Sequence, residues 1–199
     1  MATGRHSDGV QEGPRPFLFD FAAYERMDDA GLFAGRPGKI ELIEGMICEM
    51  APPGGEHTDV TSEIQGQFYM ALRTDAYGGL KVLTQGTLRI GHDSAPEPDV
   101  FVARPRGERR YYEAADAVLV VEVSVTTLDD DRRVKAPLYA RAGIPELWIA
   151  EPEARSIRVY RGPREDGTWD SETTVSAGAV SPLFAPDIQI ALADVFSAA

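Results

Sequence analysis

Apolar and polar positions alternate along this chain in short blocks, and the blocks set out a succession of elements. From Ile40 to Met50 the text I-E-L-I-E-G-M-I-C-E-M places two β-prone runs on either side of Glu44-Gly45, a pair suited to a tight hairpin turn because glycine accepts positive φ. Two prolines and two glycines between Ala51 and Gly55 break the pattern. From about Glu56, the residues Val60, Ile64, Phe68 and Leu72 recur at every fourth position, which predicts a helix with one apolar stripe. Gly78-Gly79 closes that stretch. Lys81 to Ile90 reads as a strand pair or a bent strand around Gly86, and Pro98 to Val102 as a short strand entered from a proline-rich turn. Between Ala117 and Val125, Val118, Leu119, Val120 and Val121 follow one another without a polar break, as in a strand buried on both faces at the centre of a sheet. A helix is expected from near Arg133 or Val134, because Pro137 fits only a first turn, and Gly143 should stop it, with Pro145 beyond. Leu147 to Ala150 and Ile157 to Tyr160 are further strands joined by a turn at Glu151-Pro152. Short strands near Thr173 and Ile188 and a final turn over Leu192 to Phe196 complete the chain.

Strands and helices are mixed without strict alternation, so the fold class is α/β or α+β, with a mixed central sheet flanked by helices. At 199 residues the chain suits one domain with a substantial core. Residues 1–16, rich in Gly, Pro and charge, read as a flexible leader. Order is expected from Phe17 onward, where Phe17, Phe19, Phe21 and Tyr24 supply apolar anchors, giving a single domain over 17–199. The lone cysteine, Cys48, excludes an internal disulfide framework and a multi-cysteine metal site. A reducing, cytoplasmic setting is the matching expectation. The N-terminus lacks the apolar core of a secretory signal and no run approaches a membrane span, so no membrane association is expected.

Charge changes the picture more than composition does. Twenty Lys and Arg face 32 Asp and Glu, a formal net charge of −12, with a pI near 4.7. Tight, indiscriminate DNA binding depends on cationic side chains displacing counterions, and this balance argues against it. Arg104, Arg106, Arg109 and Arg110 form a local cluster, readable as a basic rim or as a solvated arginine-rich loop.

The position with the most unusual surroundings is Glu122, which follows four consecutive apolar residues. A carboxylate on a buried strand is costly unless a cation or metal accompanies it. It is either a functional group or a strand-end glutamate, exposed or bound to an arginine. Asp99, in P-E-P-D-V-F-V, taken alone is a hydrogen-bonding turn aspartate. Beside Glu122 it becomes half of the carboxylate pair that a hard cation such as Mg²⁺ uses. Lys135, in D-D-D-R-R-V-K-A-P, falls in the first turn of the expected helix and is either a solvated lysine or a group that orients water and offsets charge on a phosphate. Asp129, Asp130 and Asp131 have a structural role available as favourable charges at a helix N-terminus. His57, at the start of the first helix, is a ligand, a base or a capping residue, with the last preferred, and Glu56, Asp59 and Glu63 read as one solvated helix face. Histidines at 6, 57 and 92 alone make no zinc cluster. No nucleophile elbow, phosphate-binding glycine loop or dinucleotide fingerprint is present.

In order along the chain stand E-L-I-E-G-M-I at 41–47, P-P-G-G-E-H, P-D-V, V-V-E-V-S-V-T-T, the D-x-x-x-K of Asp131 to Lys135, L-Y-A-R-A-G-I-P-E-L-W-I and S-P-L-F-A-P-D-I-Q-I-A-L-A-D-V-F. Their order and spacing resemble the bacterial Uma-two family of restriction-endonuclease-like proteins, within the PD-(D/E)XK nuclease superfamily, from about Phe17 to Phe196. The resemblance implies a restriction-endonuclease-like core in which Asp99 and Glu122 bind a divalent metal with the help of the Val123 carbonyl. Ser124 stands where the superfamily places its lysine, and the role passes to Lys135 on the following helix. Glu41 matches the family's hairpin glutamate and implies an additional acidic member of the site, orienting from outside or binding a second metal. The implied activity is Mg²⁺-dependent endonucleolytic hydrolysis of DNA phosphodiester bonds, with Mn²⁺ as a substitute, weak nonspecific affinity for DNA and a homodimer for paired cutting. The alternative is a catalytically inactive nuclease-fold module that binds or regulates, which the net charge favours.

Overall fold

The computed structural model describes residues 15–73, 77–125 and 131–197. The expected leader lies outside the described residues over 1–14, as do Asp129 and Asp130.

Helix α1 (Phe21–Asp29) is capped by the Asp20 carboxylate, which accepts from the Ala23 N–H at 2.7 Å. The aromatic spacing there had suggested apolar anchors without a helix. Phe21 and Tyr24 turn inward onto Leu42 and Ala95, and the Tyr24 hydroxyl donates to the Ile40 carbonyl at 2.7 Å. Strands β1 (Ile40–Ile43) and β2 (Met46–Glu49) form the expected antiparallel hairpin. Glu44 and Gly45 both hold positive φ, 48° and 79°, the signature of a two-residue primed turn. A Cβ at Gly45 would lie 2.7 Å from the Leu18 Cβ, so glycine is also required sterically.

Helix α2 (Gly55–Ala71) buries Val60, Ile64 and Phe68 as the four-residue spacing demands, and Leu72 caps its end. Strand β3 (Lys81–Thr84) and strand β4 (Leu88–Arg89) are separate rather than paired, and belong to different sheets. Strand β5 (Val100–Ala103) follows, then β6 (Tyr112–Glu113), a parallel partner of β4. Strand β7 (Ala117–Val123) is buried at all seven positions. One wide π-type turn over Asp131–Lys135 leads into α3 (Ala136–Arg141). The α-helix proper therefore starts later than Arg133 or Val134, and Lys135 closes the turn ahead of it, with Pro137 among the first helical residues. After α3, Gly143 adopts φ 72° as a helix stop. Strands β8 (Glu146–Glu151), β9 (Ser156–Pro163) and β10 (Trp169–Val175) form an antiparallel meander, and β11 (Ala179–Val180), β12 (Ile190–Ala191) and α4 (Leu192–Val195) close the chain.

The central sheet has six strands in the order β10-β9-β8-β7-β5-β3, mixed through the one parallel pair β7–β8. Its two faces carry separate apolar clusters. Val100, Val102, Val121 and Trp148 meet α2 and α4 on one side, while Phe101, Val120, Leu147 and Ile149 meet Leu138 and Tyr139 of α3 on the other. This is the α/β arrangement expected from the mixed element order. Among the described residues no helix is long and apolar enough to cross a membrane.

Candidate active site

Strand register brings the two carboxylates together. Strands β5 and β7 run antiparallel with Val100 opposite Val121 and Phe101 opposite Val120. Continuing that register by one residue puts Asp99 opposite Glu122. Because side chains alternate along a strand, both then share the face of Phe101 and Val120, the face covered by α3. Glu41, at the second position of β1, and Lys135, at the end of the π turn, line the same cleft of about 320 Å³ together with Asp131 and Val123. The structure thus gathers Glu41, Asp99, Glu122, Val123 and Lys135 at one place.

Within the cleft the groups form two connected sets. Lys135 lies 3.2 Å from Glu122 Oε1, 3.5 Å from Glu41 Oε2 and 3.9 Å from Asp131 Oδ1. Lys135 is 7% exposed and Glu122 2%, so the ion pair stands in surroundings with little solvent screening. The Tyr139 hydroxyl donates to Glu122 Oε1 at 2.6 Å. Asp131 is bound by the Ser124 hydroxyl. The aspartate read as a helix-terminus charge therefore lines the cleft, and the Ser124 hydroxyl anchors the turn that carries Lys135.

The second set surrounds Asp99. Its Oδ1 receives the Lys39 ammonium at 3.1 Å, and its Oδ2 receives His57 Nε2 at 3.0 Å and the Val123 N–H at 2.9 Å. His57 is thus not a capping residue: the first turn of α2 reaches the start of β5 and presents the ring to Asp99. Lys39 and Tyr139 are the site members that the sequence reading missed, and both had a signal. Lys39 shares a strand face with Glu41 by period two, and Tyr139 follows Lys135 by one helical turn.

Burial opposes the charge on Asp99, but the His57 hydrogen bond, the Lys39 ammonium and the Val123 N–H outweigh it and lower its pKa to about 2. Glu122 goes the other way. Burial pushes it up to about 8, with Asp99, Asp131 and Glu41 adding to the rise against Lys135. Burial alone would lower Lys135, yet Glu122, Glu41 and Asp131 hold it well above the usual lysine range. The two shifts have one origin. Several carboxylates converge on one ammonium, so the lysine keeps its proton and the surplus negative charge falls on Glu122.

The donor set is of the kind a hard divalent cation uses, namely buried carboxylate oxygens. Glu41 Oε2 is buried with no hydrogen-bond partner among the described residues, and the Lys135 ammonium at 3.5 Å is its ion-pair partner, so its lone pairs remain open to a closer cation. On this ground Asp99, Glu122 and Glu41 fit a metal. As the side chains stand, however, among the described residues no group of three or more His, Cys, Asp or Glu is placed to hold an ion, and two ammonium groups, Lys39 and Lys135, lie among the oxygens.

The arginine cluster is elsewhere. Arg109 pairs with Asp116 at 2.6 Å, and Arg110 pairs with Glu25 at 2.8 Å and Asp29 at 3.0 Å. It therefore supplies no basic rim to this cleft.

A family profile described as "Uma2: Putative restriction endonuclease" matches residues 21–193. Among solved structures, that of "a putative nuclease belonging to DUF820 from Anabaena variabilis ATCC 29413" is similar to this chain with a TM-score of 0.67 at 18% identity, over 92% of this chain and 98% of that one. At that identity the likeness is one of fold. No curated protein matches the chain.

Proposed function

The chain belongs to the Uma2 family, described as "Putative restriction endonuclease", and from that premise we propose that it is a Mg²⁺-dependent endonuclease that hydrolyses phosphodiester bonds of DNA. The observation that carries the reading is the convergence, at one end of the central sheet, of buried Asp99, Glu122 and Glu41 with a lysine 3.2 Å from Glu122. Asp99 and Glu122 would hold the ion, with Glu41 and the Val123 carbonyl as further oxygens and Mn²⁺ as a substitute. Bound there, a divalent cation supplies charge against the scissile phosphate and acidifies a water molecule. The chain's own groups do the positioning. The Val123 N–H and His57 fix Asp99, and Tyr139 fixes Glu122. Lys135, held charged by its carboxylates, orients the attacking water and offsets negative charge developing on phosphate oxygens. Such preorganised charge acts strongly because it is set before the reaction begins.

The direct test is cleavage of plasmid, duplex and single-stranded DNA by the purified protein in Mg²⁺ or Mn²⁺, beside Glu122→Ala and the near-isosteric Glu122→Gln. The expected outcome is cleavage by the wild type and a loss of about 100-fold or more in both variants. Equal cleavage by all three would overturn the assignment.

One observation favours a second reading, a nuclease-fold module that binds without cutting. Both oxygens of Asp99 are already engaged by the protein's own donors, and the net charge of −12 opposes DNA. Calorimetric titration with Mn²⁺ discriminates: a wild type that takes up no divalent ion belongs to this second class.

A further inference from the structure

Two lysines serve this cleft, and they are held differently. Lys135 is locked: three carboxylates lie within 3.9 Å and its side chain is 8% exposed. Lys39 precedes β1, its side chain is 18% exposed, and among the described residues its one ion pair is with Asp99. Its other polar contact is the neutral Glu97 carbonyl at 3.3 Å. Asp99 Oδ2 is saturated by His57 and the Val123 N–H, which leaves Oδ1 as the oxygen for a cation, and that oxygen carries Lys39. A divalent ion that uses Asp99 through Oδ1 must therefore displace an ammonium.

We infer that Lys39 is the exchangeable cation of the site: it holds Asp99 Oδ1 in the metal-free protein, yields that oxygen to the divalent ion, and then pairs with a phosphate oxygen of the substrate. The inference rests on the metal-dependent reading above and adds a second catalytic lysine to it. Lysine is suited to the exchange, since a compact ammonium on a flexible four-carbon stem swaps partners without the planar fork that fixes an arginine. The chain also needs such a group. It carries 12 more acidic than basic side chains, and Arg109 and Arg110 are paired with carboxylates away from the cleft. A phosphate entering beside Glu41, Asp99, Glu122 and Asp131 meets four carboxylates, against which Lys135 alone is already committed.

Calorimetric titration of Mn²⁺ into the wild type, Lys39→Met, Lys39→Gln and Lys39→Arg reads the first half of the exchange without reference to cleavage. Removing a unit positive charge from a ligand oxygen tightens ion binding, and the two neutral variants should bind Mn²⁺ about tenfold more tightly or better. Lys39→Arg, which keeps the charge and holds the carboxylate with a planar fork, should bind Mn²⁺ no more tightly than the wild type. The second half is read by the anisotropy of a fluorescein-labelled DNA duplex at saturating Ca²⁺, where both neutral variants should bind the duplex more weakly. Far-UV circular dichroism establishes that each variant is folded, and either neutral variant suffices. Unchanged or weaker Mn²⁺ affinity in the neutral variants overturns the competition, and unchanged duplex affinity overturns the phosphate contact. If the wild type cleaves DNA while Lys39→Met binds Mn²⁺ no more tightly, this inference fails and the nuclease reading stands. If no variant and no wild type binds Mn²⁺, both fall together.

Discussion

Replacing Lys135 with methionine removes one charge from the most buried part of the site and keeps most of the volume. The side chain lost is 8% exposed, and its partners Glu41, Glu122 and Asp131 are 1%, 3% and 4% exposed. Breaking a buried pair from one side costs about 3–5 kcal/mol, because the remaining charge is left without compensation. Here three carboxylates are left, so the upper end of that range applies when all are ionised. Total stabilities of about 5–15 kcal/mol make such a loss easy to measure. The loss also has a definite pH dependence. A carboxyl whose folded pKa is raised contributes stability below its unfolded value and loses it as pH rises through the folded value. In the wild type Lys135 limits that rise, to about 8 for Glu122. In the variant the folded value lies higher still, so the decline continues above pH 8 after the wild type has levelled off. Urea melts followed by tryptophan fluorescence suit the measurement, since Trp148 is fully buried in the core. At pH 9 the variant should be about 4 kcal/mol less stable, and at pH 6 the deficit should be clearly smaller. A deficit below about 1 kcal/mol at both pH values, or one that does not change with pH, would refute the ion-pair arrangement.

Tyr139→Phe keeps the ring packing and removes the hydroxyl that donates to Glu122; the expected cost is about 1–3 kcal/mol, read in the same urea melts. Wild-type stability itself should fall between about pH 4.5 and 8 through Glu122, whose pKa is raised from 4.5 to about 8, and Glu122→Gln should flatten that slope. Asp99 acts in the opposite sense: lowered from 3.8 to about 2, it contributes stability above pH 3.8 that is lost as pH falls toward 2, and Asp99→Asn should remove this acid-side slope. Mn²⁺ at about 100 times its dissociation constant should stabilise the wild type by about 2.7 kcal/mol at pH 8, and the thermal shift should vanish in Asp99→Asn and Glu122→Gln.

The parts legible in the sequence were those whose cause is local. An unbroken apolar run at 118–121 can only be a central strand in a domain of this size, and β7 is buried throughout. Glu44-Gly45 must turn, and does so with both residues at positive φ. Glu122 stood out because a carboxylate inside such a run needs a partner, and Lys135 was legible as that partner through the motif order. What could not be read depends on which elements touch. His57 looks like a cap because the first turn of a helix is where capping residues stand. Only the approach of α2 to the start of β5 makes it a ligand of Asp99 instead. The π turn at Asp131–Lys135 was invisible to a proline rule that speaks only of α-helix, yet that turn is what directs Asp131 and Lys135 inward together. The arginine cluster illustrates the converse. Four like charges in seven residues invite a functional reading, but Glu25, Asp29, Glu113 and Asp116 come from α1 and from beyond the loop to pair with two of them.

The same reasoning explains how a strongly acidic chain can keep a buried acidic cleft at all. Four carboxylates at 5% exposure or less, Glu41, Asp99, Glu122 and Asp131, would repel one another out of the core if each were ionised and solvated only by protein. The fold distributes the cost in three ways. Lys135 is shared among three of them, Asp99 is separated into its own set with His57, Lys39 and a backbone N–H, and Glu122 is left with a raised affinity for protons. An entering cation of higher charge would offset the negative charge that remains, on Glu122 and on the Glu41 oxygen that lacks a hydrogen bond. It would release the Glu122 proton as it did so. Mn²⁺ titrations at pH 7 in buffers of different ionisation enthalpy should therefore show net proton release from the wild type and a markedly smaller release from Glu122→Gln. Uptake of the ion with no proton released in the wild type would mean that Glu122 is not the group carrying the surplus charge.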